Sequence, residues 1–178
     1  MKQINVANSM LIGQKAPNFI ASAYGNLIRY PEDFSGKWVV LFNLPKDLTP
    51  SIIQESNGLT LILDEFENMN TALVGFCIDS IYKYIYCFDS YKQLDGRMKR
   101  YADYLPIVED VDKSIAREFF LISEEKAIES VVIIDSNGII RSQLNYENPT
   151  WGKLFEIKNI IQALQYSDLE STREEDGN

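Results

Sequence analysis

Three continuous apolar runs narrow the folds open to this chain. Residues 37–43 read KWVVLFN, 72–78 read ALVGFCI and 130–135 read SVVIID. None alternates polar with apolar, so each reads as a strand buried on both faces. A sheet of such strands must be covered by helices on its two sides. The run 130–135 ends in Ser136-Asn137-Gly138, a strong turn signal, and residues 139–144 (IIRSQL) follow as its antiparallel hairpin partner.

Helical spacing fills the gaps between the runs. Residues 51–68 place Ile52, Ile53, Leu59, Leu63 and Phe66 at three- and four-residue steps, with Gly58 weakening the middle. Residues 80–91 and 112–120 are shorter helical stretches. Residues 154–165 put Leu154, Ile157, Ile160, Ile161 and Leu164 on one face. The order β-α-β-α-β-β-α predicts an α/β fold with a mixed central sheet flanked by helices. The strands separated by helices should pair parallel.

Composition narrows the chemistry. The 178 residues contain no histidine and only two cysteines, Cys77 and Cys87. That excludes a Ser-His-Asp triad, a Cys-His pair and a histidine-ligated metal, and two thiols cannot complete a tetrahedral zinc site within one chain. No cofactor or metal is expected. The net charge is −9, from 17 Lys+Arg against 26 Asp+Glu, which argues against nucleic acid and anionic membranes as partners. Residues 1–10 lack the apolar segment of a signal peptide, and two distant cysteines fit a reduced cytoplasmic setting better than a disulfide framework. Residues 168–178 carry five acids and one base. They read as an acidic, solvated or disordered tail after a single domain at 1–167.

The motifs reach further when taken in order. Gly13-Gln14-Lys15-Ala16-Pro17-Asn18-Phe19 is followed by Gly36-Lys37-Trp38-Val39-Val40-Leu41-Phe42, then Gly75-Phe76-Cys77-Ile78-Asp79-Ser80. Pro106-Ile107-Val108-Glu109-Asp110, the run ending in Asp135, and Ala163-Leu164-Gln165-Tyr166-Ser167-Asp168 complete the series. The chain resembles the peroxiredoxin family, in the branch that holds the peroxidase component of alkyl hydroperoxide reductase and the typical two-cysteine enzymes. The resemblance implies a thioredoxin-like fold and thiol-dependent reduction of peroxides. It also implies a homodimer joined sheet edge to sheet edge, with dimers forming rings, usually decamers.

The family's P-x-x-x-T-x-x-C motif reads Pro45 to Ile52 here. Pro45 and Thr49 match, as does Glu55 three residues beyond, but Ile52 stands where the family has its peroxidatic cysteine. Attack on a peroxide needs a thiolate, and Ile52 supplies none. The family arginine six residues before Asp135 falls on Glu129, which replaces a cation by an anion and would raise the pKa of a nearby thiol. A second basic position falls on Lys153. The family's resolving cysteine has no counterpart in residues 169–178. These departures predict a catalytically inactive homologue with a scaffolding or binding role, as a homo-oligomer or beside an active paralogue. The alternative is a thiol peroxidase or redox sensor that uses Cys77 or Cys87.

Structural roles compete for each of these residues. Pro45 can end a strand and Thr49 can cap a helix. Cys77, on an apolar strand, packs as a small hydrophobe. Tyr82, Tyr84, Tyr86, Phe88 and Tyr91 suit a core or an interface between protomers. The basic stretch 95–100 (DGRMKR) reads as a solvated loop.

Overall fold

The computed structural model describes residues 11–23, 26–43, 59–78, 105–119, 122–123, 126–127, 130–146 and 153–176. Its strands are β1 (Phe19–Ala23), β2 (Asn26–Tyr30), β3 (Trp38–Asn43), β4 (Thr71–Cys77), β5 (Ile107–Glu109), β6 (Ile122–Ser123), β7 (Lys126–Ala127), β8 (Ser130–Ile134) and β9 (Ile140–Asn145). Its helices are α1 (Leu59–Asn68), α2 (Ser114–Glu118) and α3 (Leu154–Asp176). Seven strands form one mixed sheet in the order β2-β1-β5-β4-β3-β8-β9, and β6 and β7 form a separate pair.

The three apolar runs take the centre of the sheet. β3 pairs parallel with β4 as expected but antiparallel with β8, which corrects the expectation of parallel pairing for the 130–135 run, and all six β3 residues are buried. Its side chains divide by the two-residue period of a strand. Trp38, Val40 and Phe42 face Ile62 and Phe66 of α1 and Ile157 and Ile161 of α3. Val39 and Leu41 face the opposite layer, which holds Phe19, Tyr30, Phe76 and Phe119. Phe19 stacks on Tyr30 at 5.5 Å between ring centroids and meets Phe76 edge-on at 5.7 Å.

The turn predicted at 136–138 is present. Asp135 organises it: its Oδ1 accepts from the N–H groups of Asn137 and Ile139, both at 2.9 Å. Gly138 has a φ of +76°, in the left-handed region that favours glycine. β8 and β9 then pair antiparallel as expected.

The sequence pattern misses β1 and β2. β1 reads FIASA, with Phe19, Ala21 and Ala23 buried while Ile20 is 66% exposed. The buried positions are mostly small and an exposed one is large, so hydropathy does not show the alternation. The expected helix over 112–120 is a single turn, α2. Buried Asp110 caps it, its carboxylate accepting from Ile115 N at 3.1 Å and Ala116 N at 2.7 Å. The stretches 51–58 and 80–91, with the aromatic cluster at 82–91, lie outside the described residues.

α3 corrects the tail. The sequence reading ends this helix at 165 and leaves 168–178 disordered, yet the helix continues to Asp176. Arg141 of β9 grips Asp168 with a two-pronged fork, both bonds at 2.8 Å, while also reaching Asp135 at 3.3 Å. Lys158 bonds Glu65 at 2.6 Å and Gln165 bonds the Met69 carbonyl at 2.9 Å. With the helix already nucleated and held, each added residue gains a backbone bond at small cost. Residues 169–173 of the helix are exposed.

Two consequences can be measured. Ile161→Ala, which opens a hole between α3 and β3, should lower unfolding free energy by about 2–5 kcal/mol. Leu169→Ala, at a position 60% exposed, should stay within about 0.5 kcal/mol; urea melts of both variants check this. Tyr30 has its pKa raised from 10.0 to about 12, by burial first and by the nearby Asp135 carboxylate second. The folded state therefore holds this proton more tightly than the unfolded chain, and stability should fall as pH rises from about 10 to about 12. Tyr30→Phe should flatten that decline.

Candidate thiol site at one edge of the sheet

The ends of the central strands define a common edge. β3 ends at Asn43, opposite Phe76. β4 ends at Cys77, opposite Glu109. β8 begins at Ser130, opposite Asn145 at the end of β9. Because β3 and β4 run parallel and β8 runs against them, all of these termini lie on the same side of the sheet. In open α/β sheets this carboxyl edge of the parallel strands is where sites are built.

The sequence-predicted residues connect to this edge through the chain. Pro45, Thr49, Ile52 and Glu55 follow β3, Cys87 follows β4, and Glu129 immediately precedes β8. All six lie outside the described residues. Cys77 and Lys153 are described.

Cys77 is the last residue of β4 and is 2% exposed. Its thiol form packs in the layer with Phe42, Leu105 and Ile107, and its carbonyl accepts from the Asp110 N–H at 2.9 Å. A thiolate needs a cation, a helix N-terminus or water to stabilise it.

Lys153 stands just before α3. Its Nζ lies 3.8 Å from Glu156 Oε2 and 5.8 Å from the centroid of the Tyr146 ring. Tyr146 follows β9 directly, so Lys153 sits at the same edge as Ser130. Burial, and secondarily the Glu156 carboxylate, push the Tyr146 hydroxyl above its usual pKa, which keeps it a neutral ring under the ammonium. Tyr146 is the neighbour that sequence reasoning missed. Its position right after the predicted hairpin strand is the signal that could have found it. The half-exposed Lys153 is a mobile point charge shared with Glu156, not a rigid two-pronged donor. Among the described residues no cluster of His, Cys, Asp and Glu is arranged to hold a metal ion, and no helix is long and apolar enough to cross a membrane.

Fold and edge together define a thioredoxin-like α/β protein with a mixed seven-stranded sheet. The AhpC/TSA family profile matches residues 12–143, and the chain belongs to that family. A peroxiredoxin of Methanosarcina mazei is 34% identical over 169 residues, covering 90% of this chain and 76% of its own. A peroxiredoxin of Thermoplasma volcanium is 34% identical over 160 residues, covering 89% and 76%. Among solved structures, the reduced 2-Cys peroxiredoxin of Plasmodium vivax superposes with a TM-score of 0.67 at 27% identity, over 89% of this chain and 98% of that one. The yeast mitochondrial 1-Cys peroxiredoxin superposes at 0.70 with 24% identity, over 90% and 78%, and supports the fold.

These relatives correct the functional expectation. The sequence reading favours a catalytically inactive scaffold on the strength of Ile52, Glu129 and the missing tail cysteine. Relatives named peroxiredoxins, 2-Cys ones included, match about nine-tenths of the chain and point to peroxidase function. Ile52 removes one nucleophile from one position; it does not remove the two thiols the chain retains.

Burial also predicts the order of thiol reactivity. In a Cys87→Ser variant, Cys77 should react with a disulfide reagent at least about a hundredfold more slowly in the native protein than in urea, because labelling must await opening of the core. The absorbance of the released thiolate follows this directly.

Proposed function

We propose that this chain is a peroxiredoxin-type thiol redox protein, a peroxidase or peroxide sensor, with Cys87 as the reacting thiol. The observation that carries the reading is the family match across nine-tenths of a chain with two thiols, one of them 2% exposed within the core. Cys87 is the other thiol, and it follows β4 in the chain.

The chemistry balances with a thiol reductant. The Cys87 thiolate attacks the distal oxygen of a hydroperoxide, an S–O bond forms and the O–O bond breaks. The alkoxide leaves and takes up a proton, giving an alcohol and a sulfenic acid. A reductant thiol then condenses with the sulfenic acid to form a disulfide and water. A second reductant thiol restores the Cys87 thiol. By resemblance to the family, Pro45, Thr49, Ile52, Glu55, Glu129 and Lys153 are its pocket positions, and Ile52, Glu129 and Lys153 depart from the family pattern. A homodimer or a larger ring accompanies the reading, by resemblance to the same branch.

Peroxide consumption with a thiol reductant tests the assignment. Turnover should be present in the unmodified protein, retained in Cys77→Ser and lost in Cys87→Ser. Absence of turnover in the unmodified protein, or its survival in the double variant, sinks the reading.

A further inference from the structure

The turn between β8 and β9 carries the pair Asn137-Gly138. Asn137 is exposed. The Gly138 backbone nitrogen stands one residue on from the Asn137 side-chain amide, at the spacing that closes a five-membered ring. Glycine puts no side chain in the way of that closure.

Two contacts bear on this peptide unit. Lys15 Nζ donates to the Asn137 carbonyl at 2.9 Å. That carbonyl and the Gly138 nitrogen belong to the same peptide. A cation on the oxygen stabilises the negative charge that the peptide takes up when its nitrogen loses a proton. The second contact works the other way. The Gly138 N–H donates to the Asp135 carbonyl at 2.9 Å, so ring closure follows a local opening of the turn.

We propose that Asn137 is a self-modification site, converted by its own backbone to isoaspartate and aspartate, with Lys15 as the residue that promotes the step. The Gly138 nitrogen attacks Cγ of Asn137, and a C–N bond forms. The C–N bond to the side-chain amide breaks, and ammonia leaves with the proton that the Gly138 nitrogen gave up. Water then opens the cyclic imide at either carbonyl. One opening yields aspartate, and the other yields isoaspartate. No electrons are transferred; one water is consumed and one ammonia released. Either product adds a carboxylate beside Lys15. Isoaspartate also inserts one carbon into the backbone before Gly138. The N-terminal segment is held at this place, with Ala16 N–H on the Gly138 carbonyl at 2.9 Å and Gly13 N–H on the Ile140 carbonyl at 2.8 Å. The longer backbone displaces the first of these acceptors and loosens that hold. The site is independent of the thiol reading, since this turn lies at the end of β8 remote from Ser130.

The full-length protein, kept for days in mildly alkaline buffer, is digested with trypsin. The fragment 127–141 contains Asn137 as its one asparagine. This fragment should gain the mass of an amide replaced by an acid, and isoaspartate should accumulate in it. The Asn137→Gln fragment, whose ring would have six members, should show neither change. Lys15→Met should form the product at least about threefold more slowly, and Lys15→Arg, which keeps the cation, should restore the rate. An unchanged fragment in the unmodified protein, or isoaspartate in the Asn137→Gln protein, overturns the site. An equal or faster rate in Lys15→Met overturns the role of Lys15.

Discussion

Burial of β3 on both faces governs how every other element is placed. Trp38, Val40 and Phe42 need one apolar layer and Val39 and Leu41 need another. Neither a hairpin nor a one-sided sheet meets both demands. Burying a side chain of this size is worth about 1.5–3 kcal/mol, so each layer is a large share of the stability of a domain this long. α1 and α3 are recruited to one side, and the aromatic stack of Phe19, Tyr30, Phe76 and Phe119 to the other. With β3 central, its carboxyl end meets those of β4 and β9 and the start of β8 at one edge.

The sequence-predicted residues are linked to that edge by topology, not by local sequence. Pro45, Cys87, Glu129 and Lys153 are far apart along the chain, yet each follows or precedes an element whose end lies there. Cys77 is the last residue of a buried strand and joins the core. Cys87 is ten residues further on, past the end of that strand. A family pattern read position by position draws attention to the isoleucine at 52 and suggests a dead enzyme. The relatives show that the scaffold is one on which peroxiredoxins are built, and the surviving thiols carry the question of activity.

The central sheet is legible in the sequence because β-branched and aromatic residues fall in unbroken runs with turn signals after them. The hairpin β8–β9 is legible for the same reason, and Gly138 sits at the positive φ that its turn requires. β1 is not, because Ala21 and Ala23 fill the buried positions and Ile20 stands outside. The helical state of residues 168–176 is not, because it follows an anchor that local composition does not contain. Arg141, 27 positions before Asp168, holds that carboxylate with two bonds. An acidic segment with one sizeable apolar residue reads as tail until its partner across the fold is known. The partnership of Lys153 with the Tyr146 ring is hidden for a similar reason, since two loops must close before they meet.

The layered α/β architecture, the family and the short inventory of reactive groups, two thiols and no imidazole, were all present in the order of residues. Strand burial, turn chemistry and residue type are local properties, and local properties can be read from a string. Folding in three dimensions was needed to withdraw Cys77 into the core, to bring Asp110 to the start of a helix turn, and to carry α3 on to Asp176. Each of these depends on which distant group arrives beside a given atom. That is settled by packing both faces of one sheet, and by nothing in the neighbouring residues.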